Sequence, residues 1–130
     1  MSNHRRPGFL NVYRTGFLHS PAWFARRDRW FTEQATMNQP LTCAGCGQPA
    51  TKSQLELHHL SYAGMISQAG RWYAREPHED LIPLHPYCHE LLHRLLDRDI
   101  VLSRHRTRRD ATWLALQRLR PKLAPTQESP

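Results

Sequence analysis

Between Cys43 and His93 the chain sets out Cys43-x2-Cys46, the doublet His58-His59, His85-x2-Cys88 and His89-x3-His93. A tetrahedral ion takes only four ligands, and these spacings offer more than four. Any fold of this chain therefore has to gather thiols and imidazoles from distant positions. The surplus points to two metal sites, one structural and one catalytic.

Cys43-x2-Cys46 supplies half of a structural zinc site, with Gly45 and Gly47 permitting the tight turn that lets two thiolates converge. His85-x2-Cys88 offers the other half at the same spacing, and a Cys3His set leaves no cysteine over. Three cysteines cannot build a disulfide framework, so a reducing compartment is expected. Arg5, Arg6 and Arg14 interrupt any apolar leader, and no apolar run is long enough to span a membrane. The expectation is a cytoplasmic protein with no membrane partner.

After that zinc is filled, His58, His59, His89 and His93 remain. Neighbouring strand residues point to opposite faces, so one of His58 and His59 can meet an ion while the other stays free as a base. His89 and His93, one helical turn apart, can join the strand histidine on that ion. Three neutral imidazoles with open positions suit a Lewis-acid metal. His4, His19, His78 and His105 are read as ordinary histidines.

The charge is arranged around this centre. The chain has 130 residues and a net charge of +7. Six Arg against one Asp lie from Met1 to Trp30, and eight Lys or Arg against three Asp from Asp97 to Lys122. Four basic and six acidic residues lie between. Two basic arms flanking a weakly acidic centre favour an anionic partner, nucleic acid ahead of a membrane surface.

Local signals place the elements. Residues 1–20 read as a basic arm. Ser20-Pro21 is an N-cap with a first-turn proline, and the helix it opens, with Trp23, Phe24, Trp30 and Phe31, ends before Asn38-Gln39-Pro40. Leu55 to Leu60 is a short strand, and Leu81 to Leu84 a second strand closing a hairpin on it. Ser61 to His78 reads as a long loop carrying Trp72 and Tyr73 outward. A helix from His89 to about Asp97 and a last helix from Arg108 to Arg120 follow, the latter bearing Trp113, Leu116 and Leu119 and ending at Pro121. Residues 121–130 read as a disordered tail.

The run Leu57-His58-His59-Leu60, then Asp80-Leu81-Ile82-Pro83-Leu84-His85-Pro86-Tyr87-Cys88-His89 with His93 after it, resembles the HNH endonuclease family in its ββα-metal form with a zinc knuckle. The stretch Tyr13 to Arg27, with its Ser-Pro-x-Trp and following arginines, resembles a lead-in of small phage and bacterial members. The resemblance implies an α+β fold: a small treble-clef-like ββα-metal core with a two-stranded hairpin, flanked by N- and C-terminal helices. One domain would span 21–120, with its core at 41–97. It makes His59 the general base, His58, His89 and His93 the ligands of a catalytic divalent ion, and Cys43, Cys46, His85 and Cys88 the ligands of a structural zinc. The catalytic ion would be Mg2+, Mn2+, Ni2+, Co2+ or Zn2+. Asp80 stands where the family generally has asparagine and is expected to orient His59, with a place in the metal shell as the alternative. His85 stands where a knuckle cysteine is common, which zinc accepts equally.

The expected activity is hydrolysis of phosphodiester bonds in DNA, with RNA the other possible polymer. Arg5, Arg6, Arg26, Arg27, Arg104, Arg106, Arg108 and Arg109 are the expected backbone contacts. The competing expectation is a zinc-knuckle nucleic-acid-binding module without catalysis, which leaves His58, His59, His89 and His93 without a task.

Overall fold

The computed structural model describes residues 16–99, 102, 104 and 106–123. Arg5, Arg6, His4, His105, most of the basic arm and the tail beyond Leu123 lie outside these residues.

The first helix, α1 (Pro21–Ala35), starts where the sequence indicates: the Ser20 hydroxyl accepts from the Trp23 N–H at 3.1 Å, and Pro21 occupies the first turn. Trp23, Arg26, Trp30 and Phe31 form its buried face, and Phe24 is exposed. Arg26 has its guanidinium inside, donating from Nε to the Glu76 carbonyl at 2.9 Å. It supports the fold and is not available to a phosphate, which corrects one expected contact.

Two antiparallel hairpins follow. Strand β1 (Glu56–His59) pairs with β4 (Leu81–Leu84), with His58 opposite Ile82 and His59 opposite Leu81. The intervening segment is not the expected loop, because β2 (Met65–Gln68) and β3 (Arg71–Ala74) pair as a second hairpin. Its two-residue turn has positive φ at both Ala69 (53°) and Gly70 (74°), the handedness that suits strand twist. Alternation turns Met65, Trp72 and Ala74 toward the core, so Trp72 is inward and only Tyr73 outward.

Gly64 explains how this hairpin is seated. A Cβ there would lie 2.5 Å from the Glu76 backbone nitrogen and 2.6 Å from its Cα, while the Gly64 carbonyl accepts from the Arg75 N–H at 2.8 Å. Gly64→Ala is expected to force two backbones apart and to lower stability by about 1–3 kcal/mol, read as a lower urea midpoint. An unchanged midpoint would mean that this approach is loose.

Helix α2 (Pro86–Arg98) begins three residues earlier than its leucine pattern indicates, because Pro86 fits the first turn. Helix α3 (Arg108–Leu123) packs against α2 through Ala111, Thr112, Ala115 and Leu116, small enough for close approach. Trp113, on the same helix, is 37% exposed. The helix also continues through Pro121 to Leu123, since Leu123 packs on the core and Arg120 Nε donates to the Ala44 carbonyl at 3.1 Å. A proline so close to the end removes little of the ladder. The described architecture is thus α+β, three helices with two small antiparallel hairpins. Among the described residues no helix is long and apolar enough to cross a membrane.

Candidate metal centres

Both ligand sets assemble around β1, β4 and α2. The cysteine turn is closed by the Gly47 N–H on the Cys43 carbonyl at 2.9 Å, with Gly47 at φ +80°, and Ala44 N–H ties it to Pro83 of β4 at 2.8 Å. His85 caps β4, and Cys88 lies in the first turn of α2. In consequence the ligand atoms of Cys43, Cys46, His85 and Cys88 lie within 4.8 Å of one another and can hold one ion such as zinc. Cys46 Sγ stands 3.4 Å from His85 Nδ1, near the roughly 3.6 Å edge of a tetrahedral zinc with bonds of about 2.3 and 2.05 Å.

The electrostatics of the four fit a cation. Burial pushes the Cys43 thiol up, but the N–H groups of His85, Cys46 and Gly45 and the Cys88 side chain outweigh it and bring it down to about 7. Cys88 is pushed up to about 12, by burial first and then by the neighbouring Cys43 and Cys46. One thiolate forms readily and the next is opposed by it, a conflict that a divalent ion removes.

The second set is His58, His89 and His93, whose ligand nitrogens also lie within 4.8 Å of one another. His58 Nδ1 is 3.3 Å from His89 Nε2, and His93 Nε2 is 3.1 Å from the same atom. Two nitrogens sharing a tetrahedral ion at about 2.0–2.1 Å stand about 3.3 Å apart, so the trio is spaced as ligands are. The far nitrogens are occupied: His89 Nδ1 meets Glu56 Oε1 at 2.8 Å, and His58 Nε2 meets Thr112 Oγ1 at 3.1 Å. An ionised carboxylate only accepts, so His89 donates from Nδ1 and turns its Nε2 lone pair toward the cluster. Outer partners of this kind fix tautomer and orientation at metal-binding histidines. Glu56 and Thr112 were not found by sequence reasoning. Glu56 sits two residues before His58 on the same strand face, which was the available signal; Thr112 had none.

Burial holds His58 well below the ordinary histidine range, with the charges of Arg108, His93, His89 and His59 adding to it. Burial also lowers His89, against the opposing pull of Glu56. Both folded values therefore lie below the unfolded value of about 6.5. The unfolded chain binds more protons than the folded one as pH falls through that value, so this stability is present above about 6.5 and lost below it. With zinc in the cysteine site and no second metal, the denaturation midpoint is expected to be flat above about pH 7 and to fall on acidification below 6.5. A midpoint that rose over that range would contradict neutral imidazoles here.

His59 points to the other face of β1, as strand alternation requires. Its Nε2 lies 2.6 Å from Glu76 Oε2, and both side chains are 0% exposed. Trp23 covers the ring at 4.8 Å, with Phe17 and Tyr62 each at 5.7 Å, and Arg108 Nε donates to its carbonyl at 2.7 Å. The second Glu76 oxygen is buried with no hydrogen-bond partner. His59 is thus outside the ligand trio, as expected, but it is one half of an enclosed carboxylate–imidazole pair.

Asp80 is corrected as well. Its carboxylate pairs with Arg109 and does not reach His59; its carbonyl accepts from the Leu60 N–H at 2.8 Å. It is also absent from both ligand clusters among the described residues. Glu76 is instead the carboxylate that meets His59, 17 residues away in sequence and brought there by the second hairpin. Its only local signal was Pro77, which holds the preceding residue extended.

The arginines divide accordingly. Arg27 gives Nη2 to the Leu55 carbonyl at 3.1 Å, and Arg106 gives Nη1 to that of Leu102 at 3.1 Å. Arg109 is engaged by Asp80, Arg104 is exposed, and Arg108 lies over the Tyr62 ring at 4.4 Å. Comparison with protein-family models, curated proteins and solved structures finds no match to this chain.

Proposed function

We propose that the chain is a metal-dependent endonuclease of HNH type that hydrolyses phosphodiester bonds in DNA, with β1, β4 and α2 as its ββα-metal core. The observation that carries this reading is the His58–His89–His93 trio, spaced for one ion, separate from a complete Cys3His set. A divalent ion held by the trio supplies Lewis-acid stabilisation of charge on the phosphate and on the leaving oxygen. Glu56 and Thr112 hold two of the three imidazoles in orientation. Arg108, which bonds the His59 carbonyl and lies over Tyr62, is the cation that would face the phosphate in this reading.

His59, backed by Glu76, is the proton acceptor in this reading, in the way that a carboxylate orients an imidazole base. Its enclosure sets a condition: Phe17, Trp23 and Tyr62 have to part before water reaches the ring. That same enclosure favours a second reading, a zinc-knuckle nucleic-acid-binding module in which His59 and Glu76 are a core pair.

Supercoiled plasmid incubated with the full chain across a divalent-metal series separates the two. The endonuclease reading expects metal-dependent nicking, and its absence with every metal leaves the binding module. His59→Gln is the sharper variant, because His59→Ala would leave Glu76 buried and unpaired. Nicking by His59→Gln is expected to fall by about 10²–10⁴ with metal content unchanged. Nicking at the parent rate would remove His59 from the base role.

A further inference from the structure

The β2–β3 hairpin has an outer face that neither metal centre uses. Alternation and register put Ile66, Gln68, Arg71 and Tyr73 on it, Ile66 opposite Tyr73 and Gln68 opposite Arg71. Arg75 follows two residues after Tyr73 and is exposed. Both guanidiniums lie against the one tyrosine ring, Arg71 at 5.7 Å and Arg75 at 5.4 Å from its centroid. Among the described residues neither arginine forms an ion pair, whereas Arg26, Arg94, Arg109 and Arg118 each have a carboxylate. No acidic residue lies within either strand.

Two unpaired guanidiniums beside an aromatic ring present fixed donors with the planar fork that matches phosphate oxygens. Ring contact holds the arginines in place, which reduces the rotamer freedom they lose on binding. The hairpin is also anchored toward the candidate base. Trp72, on its inner face, meets Phe17 at 5.3 Å, and Phe17 meets His59. Arg75 and Glu76 are consecutive, the first turned to solvent and the second bonded to His59.

We infer that the outer face of this hairpin, through Arg71, Tyr73 and Arg75, is a phosphate-binding ledge that grips the backbone of a nucleic-acid strand on the side of the hairpin away from Trp72. The occupant is nucleic acid, because the face offers cations and a stacking ring and no counter-charge. The inference rests on the nucleic-acid part of the proposed function and not on its catalytic part.

The test is the salt dependence of binding of a short random-sequence DNA duplex to the zinc-loaded full chain with no other divalent ion added. The double variant Arg71→Gln/Arg75→Gln is compared with Arg29→Gln/Lys122→Gln, which removes the same charge from other exposed positions. Losing two phosphate contacts is expected to reduce the slope of log K against log salt by about 1.8 and weaken binding at least about tenfold at moderate salt. The control pair is expected to change the slope by less than half of that. Equal loss in both pairs, meaning bulk charge only, overturns the ledge, as does an unchanged slope in the hairpin pair.

Plasmid nicking by the same proteins keeps the two failures apart. A parent slope in the hairpin variant with nicking retained defeats the ledge and spares the nuclease. A reduced slope without any nicking in the parent protein supports the ledge and defeats the nuclease.

Discussion

Cys88→Ser is expected to unfold the chain, and removal of zinc by a strong chelator to do the same. Cys88 is buried in the first turn of α2 and shares its cluster with Cys43 and Cys46 on the opposite turn and His85 at the end of β4. No other described contact ties these three segments with comparable strength: the turn itself is joined to β4 by the Ala44–Pro83 bond and to α3 by Arg120. Structural zinc contributes on the order of 10–16 kcal/mol to small metal-dependent folds, against a total stability of about 5–15 kcal/mol for a typical domain. Loss of such an ion would therefore be of the same order as the whole folding stability, and hydrophobic burial around Leu84, Leu92 and Leu116 is not expected to replace it. The measurement is far-UV circular dichroism through a denaturant series, with zinc content determined in parallel. A cooperative transition within about 1 kcal/mol of the parent would show that the cysteines are buried thiols packing without a metal.

The parts of the fold that the sequence makes readable are those set by local constraints. Ligand spacing is a local constraint, since two residues between cysteines set a turn whatever the rest of the chain does, and Cys43, Cys46, His85 and Cys88 do converge. The β1–β4 pairing and the start of α1 were legible for the same reason: short alternating runs and a Ser-Pro cap act within a few residues. The second hairpin was not, because its turn is Ala69-Gly70, where Ala gives no positive-φ signal. With that segment read as loop, Glu76 has no route to His59, and Asp80 is the carboxylate left to pair with it. Arg26 differs. A long side chain on an amphipathic helix reads as solvated, and the Glu76 carbonyl, brought from 50 residues away, together with Glu33 farther along the same helix, gives its guanidinium a reason to be inside.

His93→Ala is expected to leave the chain folded, to lower its metal content from two ions to one, and to reduce plasmid nicking by at least about a thousandfold. His93 is the right member of the trio to change. His58 is 1% exposed and bonded to Thr112, so its removal leaves a buried hydroxyl unpaired and costs stability on its own account. His89 carries the bond to Glu56. His93 is only partly buried on α2, and removing it in the metal-free protein gives up the hydrogen bond its Nε2 shares with that of His89 while leaving no buried hydroxyl or carboxylate behind. The change in folding stability is therefore expected to stay within about 1 kcal/mol, measured by denaturant with the cysteine site loaded. Two ligands of three would hold a divalent ion far more weakly, and in the proposed reaction the charge stabilisation that the ion would supply is lost with it. Unfolding by His93→Ala would mean that the trio is part of the framework. Full nicking with one metal per chain would mean that the three imidazoles, however well spaced, are not where the phosphate reacts.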